Sequence, residues 1–118
     1  MATFTKAHLS GAADGLAVKV VQTATAGTTI HTATASTDAG VFDEIWIWAV
    51  NSSTSAVKLT IEWGEATAPD GNIEVTIPPE SGLQQVIPGL ILHNAKVVKA
   101  FASSANVVVL HGFVNSIA

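Results

Sequence analysis

Between Ala56 and Trp63 the chain alternates strictly, with Val57, Leu59, Ile61 and Trp63 on one parity and Lys58, Thr60 and Glu62 on the other. A two-residue period predicts a β-strand with one face in the core and one in water. Its partner is the run Ile73, Val75, Ile77, interleaved with Glu74 and Thr76, and the intervening GEATAPDGN holds a Pro-Asp-Gly turn. Together they predict an antiparallel hairpin. Glu62 and Glu74 fall on its wet face, where neither requires a partner. The run Glu44 to Val50 behaves differently, with Ile45, Ile47 and Ala49 on one side and Trp46, Trp48 and Val50 on the other. Two apolar faces predict a central strand whose outer face is covered.

Further runs rich in Val, Ile and Thr, at 17–23, 28–35, 83–87, 96–102 and 106–114, are separated by clusters of Gly, Pro, Asn and Asp, the grammar of short strands and turns. Pro78-Pro79 and Pro88-Gly89 punctuate the chain and forbid helix there. No window carries an apolar stripe of 3.6-residue period. About eight strands predict an all-β fold, an antiparallel β-sandwich of jelly-roll-like kind over residues 17–118. Residues 1–16, MATFTKAHLSGAADGL, scatter single apolar side chains among Ala, Gly, Ser and Asp without a period, and predict an extended N-terminal arm. Besides Leu16 and the terminal Met1, Phe4 and Leu9 are its only sizeable apolar side chains. They are the candidate anchors on a neighbouring subunit.

Composition narrows what such a domain does. Charged residues make up 12% of the 118, against about 25% in ordinary globular proteins, while the hydrophobic share of 48% is usual. The surface must therefore be covered largely by Thr, Ser, Ala, Asn and Gln, and such a surface costs little to desolvate against a partner. That favours a component of an assembly. The net charge of −4, with five Lys and no Arg, lacks the basic cluster that neutralises phosphates, so nucleic acid is not expected as a partner. No apolar run reaches the ~18 residues of a membrane span, and no secretion signal is read at the N-terminus. A chain of this length buries enough surface to fold without a disulfide or metal staple, in keeping with the absence of Cys.

Candidate chemistry is sparse. His8, His31, His93 and His111 invite a metal reading of the cupin kind, but no two stand at i, i+2 with a Glu close by, and isolated His residues are more often satisfied within the fold. No Ser sits in a Gly-x-Ser-x-Gly elbow, and no Cys offers a nucleophile. Asp43-Glu44 point to opposite faces if the segment is strand, and read as a solvated strand opening. Asp70-Gly71-Asn72 and Asp14-Gly15 read as turns, since calcium takes roughly 6 to 8 oxygens. No catalytic residue, metal or cofactor is therefore assigned, and the expectation is a protein that is not an enzyme. Trp46, Trp48 and Trp63 suggest a carbohydrate-binding platform as the alternative. A sheet–sheet core or subunit contact is favoured for them, because apolar residues flank them throughout.

Three segments carry a resemblance: AGTTIHTATA (26–35), DEIWIWAVNSSTSAVKLTIEWG (43–64) and IEVTIPPESGLQQVIPGLILHNAKVVKAFASSANVVVLHGFVNSI (73–117). They resemble small virion proteins from the structural gene clusters of tailed phages and prophages. The likeness covers most of the chain beyond the arm, marked by the DEIW opening, the LTIEWG strand, the IPPESG corner and the closing VNSI. It implies a β-sandwich head decoration, or cement, protein, commonly a trimer bound at local symmetry axes on the outer surface of the head, where it holds capsomers together. The partners implied are the major capsid protein and further copies of the chain, and the location is the virion, after synthesis in the host cytoplasm. A head fibre base or a tail component is the neighbouring possibility. Phe4, Leu9, Trp46 and Trp48 are the candidate capsid or subunit contacts.

Overall fold

The alternating runs become nine strands in the computed structural model, which describes residues 3–118. These are β1 (Phe4–His8), β2 (Val18–Lys19), β3 (Thr28–Thr32), β4 (Phe42–Asn51), β5 (Val57–Trp63), β6 (Asn72–Ile77), β7 (Gln84–Leu92), β8 (Val97–Ala102) and β9 (Val108–Ile117). The described residues contain no helix, and thus none that could cross a membrane. All pairings are antiparallel and four of them are nested: β5 with β6, β4 with β7, β3 with β8, and β2 with β9. Nesting of this kind is one long hairpin folded over on itself. When it rolls up, β9 meets β4 and β8 meets β5. Two sheets result, one ordered β1-β9-β4-β7 with β2 also on β9, the other β3-β8-β5-β6. This is the jelly-roll form of the β-sandwich.

Between the sheets lie the residues that alternation marks as inward. Ile45, Ile47 and Ala49 of β4 and Leu59 and Ile61 of β5 lose all contact with water, each large side chain contributing roughly 1.5 to 3 kcal/mol relative to exposure. The β5–β6 hairpin forms in the expected register, Val57 opposite Ile77 and Ile61 opposite Ile73. Asn51 closes the end of β4, its amide donating to the carbonyls of Ser55 (2.8 Å) and Ile77 (3.0 Å).

The structure departs from expectation at the N-terminus. Met1 and Ala2 lie outside the described residues, but 4–8 form β1, paired with 113–117 of β9. β2 pairs with Val109 and Leu110 along the same edge. β1 and β2 are thus two halves of the first strand of the roll, and residues 9–17 are a detour between them. Its first residue turns inward: Leu9 is 1% exposed and packs under Gly112, where a side chain would crowd Leu9 and collide with the backbone of Trp46. The Gly11 N–H then donates to the Ile30 carbonyl at 2.9 Å. Leu9 is consequently a core residue of its own chain and not an anchor on a neighbour. Phe4, 72% exposed, remains free.

Two strand ends also differ. The run at 17–23 is regular only at Val18–Lys19, because after Val20 the chain leaves β9 and crosses to the end of β8, where the Gln22 carbonyl accepts the Ala102 N–H at 3.1 Å. β7 continues past Pro88-Gly89 to Leu92. It lies at the sheet edge, where a missing N–H costs no ladder bond, and register slips opposite Trp46 and Trp48 absorb the irregularity.

Candidate functional site

The outer face of the five-stranded sheet is built by the even-numbered positions of β4 and the residues that register sets beside them. Phe4, Ile117 and Phe42 form one row across β1, β9 and β4. The next row holds Lys6, Asn115, Glu44 and Ile91, and the third His8, Phe113 and Trp46. Trp48 stands opposite His111 in the fourth. Trp46 and Trp48 are thus brought together with Phe113, which the sequence does not single out because β9 looks like any apolar strand. The three rings form a triangle with centroids 6.5, 6.2 and 5.9 Å apart and planes within 27° of one another. Gly89, at φ 82°, lies against the Trp46 indole so closely that a Cβ would sit 2.7 Å from Cζ2.

Polar groups frame this triangle. The Lys6 ammonium sits 4.3 Å from the centre of the Phe113 ring, a cation–π contact. Glu44 Oε1 accepts both the Trp46 indole N–H (2.8 Å) and the Asn115 amide (3.0 Å). These donors, Asn115 first and Trp46 second, hold the Glu44 carboxyl below the ordinary carboxylate range. Trp46, Trp48 and Phe113 are half-buried against one another, Lys6 and Gly89, while Phe4 and Ile91 are exposed, so the expected cover of the double-apolar strand is supplied from within only in part. An apolar recess of about 260 Å³ between Phe42, Ile91, Leu92 and His93 continues the face at one end.

Two buried polar clusters lie elsewhere, built on carboxylates that the sequence pattern places in water. Asp43 is 4% exposed: its Oδ2 accepts His31 Nε2–H at 2.7 Å and the Thr34 N–H at 3.2 Å, and Oδ1 accepts the Ser116 hydroxyl at 2.9 Å. The composition Ser, His, Asp is that of a hydrolytic triad, but the order is wrong, because Asp43 and not His31 stands in the middle. His31 has no lone pair to spare either, its Nδ1 accepting the Ser10 N–H at 2.9 Å. The cluster ties β3 to β4 and β9 across the two sheets.

Glu62, 2% exposed, accepts the Thr25 hydroxyl and the Gly27 N–H at 2.6 Å, so the loop before β3 folds over it. A cleft of about 270 Å³ beside it is lined by Glu65, Lys96 and Lys99 among others. Glu74, by contrast, is solvated and pairs with Lys58 at 3.0 Å. Among the described residues no three His, Cys, Asp or Glu side chains stand close enough to hold a metal ion. His8 and His93 donate to the carbonyls of Leu9 and Asp38, and His111 is exposed. No family model, no curated protein and no solved structure matches this chain.

Proposed function

We propose that this protein is a structural subunit of an assembly and not an enzyme. Following the likeness of its sequence, we place it as a decoration protein on the outside of a tailed-phage head, where it stabilises contacts between capsomers of the major capsid protein. The observation that supports this most is the outer face of the five-stranded sheet. A sheet face that meets only water is normally polar, whereas Trp46, Trp48, Phe113, Phe4 and Ile91 give this one the aromatic-rich, charge-poor make-up of an interface centre. The low charge of the whole chain points the same way, and the buried His31, Asp43 and Glu62 are occupied by structural hydrogen bonds. To test it, purified protein is added to heads stripped of their decoration, and copy number and head melting temperature are measured. Saturable binding with a higher melting temperature is expected, reduced by Trp48→Ala. Absence of binding removes the decoration reading.

A carbohydrate platform is the second reading, favoured by three near-parallel rings beside Glu44 and Asn115. The rings form a compact triangle and not a line, so they offer one sugar ring a seat and an extended glycan none. Glycan-array binding that disappears in Trp48→Ala supports this reading, and an array without signal removes it.

A further inference from the structure

We infer that the outer face of the five-stranded sheet binds a second copy of the same face, related by a two-fold axis running along β9, with Lys6 of each copy opposite Glu44 of the other. The inference deepens the structural reading above and rests on it.

In the row Lys6, Asn115, Glu44, the two charges lie one strand to either side of β9. Rotation by 180° about a line along β9 exchanges the β1 side with the β4 side. Each Lys6 is thereby carried over a Glu44 and each Glu44 over a Lys6, so one rotation makes two ion pairs. To make its ion pair Lys6 leaves the ring of its own Phe113, over which it sits at 4.3 Å, and Glu44 keeps the hydrogen bonds it has. Neither belongs to an ion pair of its own chain among the described residues, and both hydrogen bonds to Glu44 fall on Oε1, leaving Oε2 for an outside donor.

The same rotation fits the apolar rows. Ile117 and Phe113, both on β9, face their own copies near the axis, while Phe4 meets Phe42 from across it. The second copy's Trp48 falls beyond the end of β1, over the break between β1 and β2 where Leu9 has turned inward. An isologous contact requires such a self-complementary patch, and charge opposite like charge would forbid it.

Area places the contact at the low end for specific complexes. Under this rotation β1, β9 and β4 overlap their counterparts while β7 falls beyond β1, so three strands at ~4.8 Å span about 14 Å, against roughly 33 Å for the ten residues of β4 and of β9 at about 3.3 Å each. The projected overlap is therefore about 480 Å² at most, and side-chain relief raises the accessible area toward the ~600 Å² per partner at the lower bound of specific interfaces. Two sheets so packed lie about 10 Å apart, as in a sandwich core.

The test uses the full chain and its charge reversals Lys6→Glu and Glu44→Lys, with sedimentation equilibrium as the readout and circular dichroism as the check on folding. The wild type is expected to be a dimer. Each reversal alone sets like charges opposite one another twice, and should weaken the dimer by ~10-fold or more. In an equimolar mixture of the two variants, the glutamate introduced in one chain faces the lysine introduced in the other, and the native Glu44 of the first faces the native Lys6 of the second. Opposite charges then meet at both contacts, and association should be restored as a heterodimer. Should one single variant fail to fold, the double variant Lys6→Glu/Glu44→Lys is expected to dimerise like the wild type. A wild-type monomer at millimolar concentration, a trimer, or a dimer indifferent to both reversals overturns the inference. A monomer that still decorates stripped heads overturns the pairing alone, and a dimer that fails to bind heads overturns the decoration reading alone.

Discussion

Asp43 points into the seam between the sheets and accepts three hydrogen bonds there, while Glu44, the next residue, points out and accepts two. Removing the first acceptor strands donors that water cannot reach. Asp43→Ala should therefore destabilise the protein by about 2 to 5 kcal/mol in urea unfolding, and Asp43→Asn by less, because its amide oxygen retains part of the set. Glu44 responds in another way. Its carboxyl is held low by Asn115 and Trp46, so Asn115→Ala should raise the midpoint of its NMR titration toward the ordinary value. A carboxylate depressed on folding contributes stability above its unfolded pKa, and that stability is lost as pH falls through its folded one. The contribution is small because solvent screens an exposed group. That Asp43 and Glu44 take opposite faces is legible from adjacency alone. Burial of Asp43 is not, because its partner His31 enters the core only through a register shift between Thr29 and His31 that turns both Ile30 and His31 inward. Strict alternation puts one of the two outside, and no local residue marks the slip.

Elements whose pattern and partner lie close in sequence are legible, and elements held by distant partners are not. The β5–β6 hairpin carries matching alternation on both sides of one turn, so its register is visible in the chain. β1 has no apolar period of its own and becomes a strand only because the exposed edge of β9, over a hundred residues on, gives its backbone donors and acceptors a partner. The face containing Trp46 and Trp48 is likewise half legible: β4 announces itself, whereas Phe113, Lys6 and Asn115 join it only through register. At concentrations where the chain is monomeric, Leu9→Ala should cost about 2 to 5 kcal/mol as a core truncation, whereas Phe4→Ala, at a position exposed in the single chain, should change stability by no more than about 0.5 kcal/mol. Equal effects in thermal melts would restore residues 1–16 to the status of a free arm. Gly89→Ala should destabilise by about 1 to 3 kcal/mol, since it adds a Cβ against Trp46 at a backbone angle that suits glycine. A shift in tryptophan fluorescence should accompany it.

Nested pairing also sets the order in which the whole molecule can assemble. Eight residues, 64–71, separate β5 from β6, whereas β2 and β9, though paired, lie near opposite ends of the chain. Loop-closure entropy rises with the length enclosed, but each inner pairing shortens the effective loop for the next. The roll should therefore close from the β5–β6 hairpin outward through β4–β7 and β3–β8, with β9 and the N-terminal strands last. Such a topology is dominated by contacts distant in sequence, so relaxation in the millisecond-to-second range is expected. Conservative truncations at buried positions along the series report the order: Ile61→Val in β5, Ile47→Val in β4, Val98→Ala in β8 and Val114→Ala in β9. Each should destabilise enough to measure in stopped-flow folding and unfolding, at about 0.5 kcal/mol or more. The fraction of the loss that appears in the folding rate should fall along that series, from more than about half at Ile61 to near zero at Val114. Truncation at Val114 should then act on unfolding alone. A flat profile would mean that both sheets condense at once, and a gradient in the opposite sense would mean that the β9 side nucleates and the hairpin is recruited to it.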